Sequence, residues 1–153
     1  MESATEQLLA QREILIDARP ETVWQFLVDP EKIARWKGID VTLEAKAGTP
    51  YRTVVIPGHV AMGEIVESDP PHRLVYTWGW EQGGPVAPGS TTVEYELVPE
   101  GAGTRLKFTH RDLPNQEAAD SHAVGWDHYL ERLAVASAGG DPGPDPWLTE
   151  RME

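Results

Sequence analysis

The residues of this chain that could do chemistry are few: five histidines, no cysteine, and one carboxylate, Glu64, placed where a strand pattern could turn it inward. The missing thiols exclude a disulfide framework, thiolate metal sites and cysteine nucleophiles. No G-x-S-x-G, P-loop, H-E-x-x-H or G-x-G-x-x-G signature occurs. His122 and His128 stand six apart, about 240° around a helix, so they cannot share a metal from one helix. No metal and no cofactor is therefore expected. His110 falls on the apolar parity of its strand. It is either a core histidine bonded to a backbone carbonyl or a polar group in a pocket, donating to a ligand or acting as acid or base. Glu64 shares the parity of Met62 and Val66, and reads either as a strand-end charge in water or as an inward carboxylate. If both residues point inward, a carboxylate–imidazole pair in an apolar cup is the best catalytic candidate. Trp78, Tyr76, Tyr95, Phe108 and Trp126 lie on apolar faces, as core packing or as the lining for a flat apolar ligand. Gly125 beside Trp126 calls for a special reason, because glycine inside a helix costs about 1 kcal/mol relative to alanine.

These residues must be held by elements that the sequence marks clearly. Arg12 to Ile16 is a short β-prone run, and Ala18-Arg19-Pro20-Glu21 is a helix entry with proline in the first turn. Asp29-Pro30-Glu31 repeats that signal with Asp29 as N-cap, starting a second short helix that ends near Trp36-Lys37-Gly38. From Ile39 to Ala45 the period becomes two, and further strands run over Tyr51 to Ile56, His59 to Ser68 and His72 to Trp80. A Gly/Pro-rich loop follows, Glu81 to Gly89. Val93 to Leu97 and Leu106 to His110 then read as a hairpin around Pro99 to Gly103. The longest helix runs from about Gln116 to Ala138, with Ala119, Ala123, Trp126, Leu130, Leu133 and Ser137 on one stripe. The predicted architecture is α+β: a curved antiparallel sheet wrapped around a long C-terminal helix, the helix-grip arrangement, with two short helices after the first strand.

At 153 residues the chain has one domain's length, divided as an N-terminal extension (1–11), the folded domain (12–138) and a Pro/Gly/Asp-rich tail (139–153). Thirteen basic against 25 acidic residues give a net charge of −12, which disfavours nucleic acid and anionic lipid as partners. No apolar stretch is long enough for membrane insertion. Lacking cysteine and a secretory pattern, the chain suits a cytoplasmic protein. Within the tail, Trp147 is expected to dock on the domain or on a second copy in a homodimer.

Particular residues also resemble a known family. Ile16 to Trp24, Asp29-Pro30-Glu31, Arg35-Trp36, Gly63 to Glu67 and Asp69 to Trp78 are similar to the SRPBCC (START-like, helix-grip) superfamily. Gly103-Thr104-Arg105-Leu106, Thr109-His110, Leu113-Pro114, Gly125-Trp126, Tyr129-Leu130 and Leu133 resemble its branch named after the activator of the heat-shock chaperone ATPase. The likeness covers about residues 12–138. It departs at Gly48-Thr49, where relatives often have Gly-Gly, and in the 81–89 loop. The resemblance implies a cavity between sheet and C-terminal helix for a lipid-, polyketide- or aromatic-like molecule. By the same analogy Trp78, Tyr76, Tyr95, Phe108, His110, Trp126 and Leu130 line it. The alternatives are a cofactor-free cyclase or hydrolase using Glu64 and His110, and a chaperone-regulating module.

Overall fold

Proline in the first turn sets both short helices, since its fixed φ suits that turn and its missing N–H is no loss there. In the computed structural model, which describes residues 8–38, 40–44 and 46–146, strand β1 (Ala10–Ile16) leads into α1 (Pro20–Val28) and α2 (Pro30–Ile33). The Asp29 side chain caps α2, accepting from the Glu31 N–H at 3.0 Å. Six strands follow: β2 (Asp40–Thr42), β3 (Pro50–Ile56), β4 (His59–Asp69), β5 (Arg73–Trp78), β6 (Thr91–Glu100) and β7 (Gly103–Arg111). Helix α3 (Gln116–Ser137) closes the fold, capped by the Asn115 side chain accepting from the Ala118 N–H at 2.8 Å.

All seven strands pair antiparallel in the order β1-β7-β6-β5-β4-β3-β2. The chain thus runs back to place its first strand beside its last. This is the α+β helix-grip arrangement, with α3 laid on the face of the sheet that carries Tyr76, Tyr95 and Phe108. Trp126, Leu130, Leu133 and Ser137 of the expected stripe are buried. Several details differ from the sequence reading. Strand β1 begins at Ala10, within the stretch expected as an extension, because Ala10 and Gln11 still pair with His110 and Thr109. Helix α2 ends at Ile33, and the chain passes through turns at 34–36 before Lys37. The β6–β7 turn is tighter, with Glu100 paired to Gly103 and Gly101 at φ 60°. Strand β2 is only three residues long, and Ile39 and Ala45 lie outside the described residues. Strand β5 stops at Trp78, because the chain turns at Gly79 to let the following loop return. A Cβ on Gly79 would stand 1.9 Å from the Ala87 carbonyl oxygen. The loop folds back through Trp80 N–H to Val86 O at 2.8 Å, and Val86 is buried.

Beyond α3 the chain doubles back along the helix. Asp145 is buried, with one carboxylate oxygen 2.8 Å from His128 Nε2 and the other accepting from the Tyr129 hydroxyl at 2.9 Å. Arg132 donates to the carbonyls of Pro142 and Gly143 at 3.2 and 2.9 Å. Residues 141–146 are therefore seated on the domain, while Trp147 lies outside the described residues. Among the described residues no helix is long and apolar enough to cross a membrane. Truncation after Gly140 should lower the melting temperature, since each kcal/mol lost from a domain of this size moves it by roughly 2–4 °C. A calorimetric scan of the shortened chain checks this, and light scattering on the same sample reads whether the mass of the assembly changes.

Candidate functional site

Aromatic rings from three strands and α3 meet where the sheet grips the helix. Phe108 and Trp126 have centroids 4.5 Å apart, Trp78 and Trp126 5.3 Å, and Tyr95 and Phe108 5.2 Å. The hydroxyls of Tyr76 and Tyr95 pair at 2.9 Å. Close aromatic packing of this kind is core, and it fills most of the cup.

A hydrogen-bond chain fixes how these rings lie. The Trp126 indole N–H donates to His110 Nδ1 at 3.0 Å, so the His110 proton is on Nε2, 2.8 Å from the Thr91 hydroxyl. Thr91 in turn donates to the Trp78 carbonyl at 2.8 Å. Every donor in the chain has one acceptor, and the imidazole is held neutral. Burial, with the nearby His122 and Lys37 charges, pushes the His110 pKa down to about 3. Both nitrogens of His110 are occupied, by Thr91 and Trp126 and not by a backbone carbonyl. Glu64 is exposed, its backbone N–H held by the Thr77 hydroxyl at 2.9 Å. The carboxylate–imidazole pair is not formed. The inward parity on β4 belongs to Ala61, Gly63 and Ile65, so Met62, Glu64 and Val66 face the other way.

Space remains at one end of the cup. A cavity of about 300 Å³ lies between the first half of α3, the ends of β3 and β5, and the loop after Trp80. Trp78 and Trp126 form its inner wall, Trp80 and His122 one side, and Gly125 the helix side. A Cβ on Gly125 would meet nothing within 4 Å, so its absence serves open space and not close packing. His122 accepts from the Trp80 indole N–H at 3.0 Å and has Nδ1 2.8 Å from the Ala118 carbonyl; burial lowers its pKa. Of the seven residues expected to line the cavity, Trp78 and Trp126 do. Tyr76 and Tyr95 border only a void of about 10 Å³, too small for a ligand, and Phe108, His110 and Leu130 are packed beneath.

The sequence reading passed over Lys37. It follows α2, where the chain turns at Gly38 with φ 89°, and its side chain runs into the core with 5% of its surface exposed. Nζ stands 4.8 Å from the Trp126 ring centroid, 5.1 Å from Trp78, 5.2 Å from Trp36 and 6.0 Å from Tyr76. Burial alone lowers its pKa from 10.5 to about 7. Lys37 also borders the cavity. Among the described residues no group of His, Asp or Glu is placed to hold a metal ion.

The fold and this cavity define an SRPBCC domain of helix-grip type. The family described as "Activator of Hsp90 ATPase homolog 1-like protein" matches residues 17–138, and the chain belongs to it. An AHSA1-like protein of Rhizobium etli is 42% identical, with 97% of this chain and 92% of that one covered at a TM-score of 0.75. DynU16, from the dynemicin biosynthetic locus, is 24% identical over 88% of this chain (TM-score 0.75); the alignment spans 48%, about half, of that protein's length. The Aha1 dimer of Colwellia psychrerythraea is 18% identical, covering 86% of this chain and 97% of that one (TM-score 0.76). The last two likenesses concern the fold. None of the curated proteins matches this chain.

The two buried bases have a shared consequence for stability. Between pH 7 and 10.5 the unfolded chain keeps a proton on Lys37 that the folded chain has released, so stability rises with pH through that window. His110 has the same sign between pH 3 and 6.5. Below each window the folded state carries the buried charge and the full penalty is present. Lys37→Met should therefore stabilise the protein near neutral pH, on the order of several kcal/mol. It should also flatten the rise in unfolding free energy between about pH 7.5 and about pH 10, read by urea denaturation at a series of pH values.

Proposed function

We propose that this domain binds a flat hydrophobic small molecule in the cavity between α3, the end of β5 and the 81–89 loop. The observation that carries the reading is the space itself: about 300 Å³ walled by three indoles and opened by a helical glycine. That is the lower end of the size range of small-molecule sites, and apolar walls with a few polar groups are their usual make-up. The AHSA1-like SRPBCC domains are typically ligand-binding, which supports the same reading. A volume of this size suits two or three fused rings better than a long acyl chain.

The enzyme alternative loses its proposed pair, because Glu64 is on the outside and His110 has both nitrogens engaged. The chaperone alternative draws no support from exposed aromatic anchors. Among the described residues the exposed large apolar side chains are Leu15, Val66, Val124 and Val135, spread over β1, β4 and α3 with no aromatic among them.

Naphthalene-sized ligands should quench the tryptophan fluorescence saturably, with Kd in the micromolar range or below, about −8 kcal/mol. Gly125→Leu places a side chain in the opening and should abolish the quenching while the melting temperature holds or rises, since leucine is the better helix former. Saturable quenching that survives Gly125→Leu, or none in the wild type across a broad panel, would sink the reading. The isolated domain should leave the turnover of a chaperone ATPase unchanged in a coupled assay.

A further inference from the structure

The ligand cavity has an imbalance of charge. This chain holds 25 Asp and Glu, yet among the described residues none of them borders the cavity, whose wall contains the Lys37 amine. Buried ammonium groups are normally paired with a carboxylate or held by several acceptors. Lys37 has neither among the described residues; burial is the one influence on its proton affinity, and ring faces are what surround it. Cation–π contacts offset part of the lost hydration and leave the positive charge uncancelled. His122 cannot supply the missing partner, since one ring nitrogen takes the Trp80 proton and the other sits on the Ala118 carbonyl. Trp78, also in the wall, carries a buried indole N–H with no acceptor among the described residues. The wall therefore offers a base that an anion can charge and no carboxylate to compete with it, in a protein whose net charge is −12.

We propose that the cavity takes an aromatic carboxylate, with the Lys37 ammonium as its counter-ion against the Trp78 and Trp126 rings. The inference rests on the reading of this cavity as the ligand site and names the class of ligand. A carboxylate fits better than a phenol, because a carboxylate is ionised from about pH 4 upward and so meets the protonated lysine as an ion pair near neutral pH, whereas a phenol and an amine of this kind hold one proton between two neutral groups. Binding of the anion draws a proton onto Lys37. Among the groups around it, His110 from β7 and His122 from α3 have lowered pKa values and Tyr76 from β5 a raised one, so none of these takes up that proton near pH 8. On the side of the 140–145 segment Lys37 also borders a second cavity, with Arg35, Arg132, Asp141 and Asp145. His59 stands on the exposed rim.

The test is calorimetry with 2-naphthoate and 2-naphthamide, which share a ring system and differ in charge. The wild type should prefer the acid by at least about tenfold, and Lys37→Met should bring the two affinities together. Equal affinities in the wild type, or a preference that survives Lys37→Met, overturn the proposal while leaving the cavity reading intact. If neither compound binds, the cavity reading fails and the proposal with it. Should Lys37→Met lack a dispersed NMR spectrum, the wild type decides. Naphthoate binding at about pH 8 should take up close to one proton, read from the enthalpy in buffers of different ionisation heat, and should do so equally in His59→Gln. Absence of uptake, or its loss in His59→Gln, overturns the assignment to Lys37.

Discussion

One indole proton holds the two halves of this fold in register. Trp126 on α3 gives it to His110 on β7, His110 passes its own to Thr91 on β6, and Thr91 closes on the backbone of β5. Three strands and the helix are joined by one chain of bonds inside a dry core, where such bonds are stronger and an unmade one is costly. The direction of the chain forces one tautomer on His110, and burial keeps that imidazole neutral. The histidine that looked most like a catalyst from its strand position is thus a structural member. It sets the tilt of Trp126, and Trp126 sets the inner wall of the cavity.

The neutral histidine also makes room for a buried amine. Lys37 Nζ lies over Trp78 and over Trp126, the ring that His110 holds. A charged imidazole there would face the ammonium with like charge. The wall accordingly divides its labour: His110 and His122 are engaged in positioning rings, and Lys37 is the base left with capacity to respond to a ligand.

Much of this was legible in the sequence, and the misreadings have physical causes. Proline and aspartate mark α1 and α2 because helix starts demand those backbone properties, and the α3 stripe is visible because burial repeats at the helical period. His110 lies inward as its parity requires. On β4 the inward positions are Ala61, Gly63 and Ile65, two of them too small to register as apolar, so Met62 and Val66 looked like the core face and carried Glu64 with them. Gly63 is small for a reason: a Cβ there would fall 2.2 Å from the Thr77 carbonyl oxygen. Lys37 left no signal at all. It sits in a turn, where no period applies, and its burial is decided by tryptophans at 36, 78 and 126, which come together only in three dimensions. The extent of the cavity was equally invisible, because whether rings leave a void depends on how they interlock.

The contact between Gly79 and Ala87 sets how this protein can diverge. The loop is pinned to the sheet at its root, by the close approach at Gly79 and the bond from Trp80 to Val86, and its side chains tie it to β3 and β4, Glu81 pairing with Arg52 and Gln82 accepting from the Val60 N–H. On the opposite wall, Trp126 and Trp78 belong to the core. The inner wall of the cavity is thereby tied to foldability, while its outer outline falls to Gln82 and Gly83 of a segment that takes no part in the aromatic core.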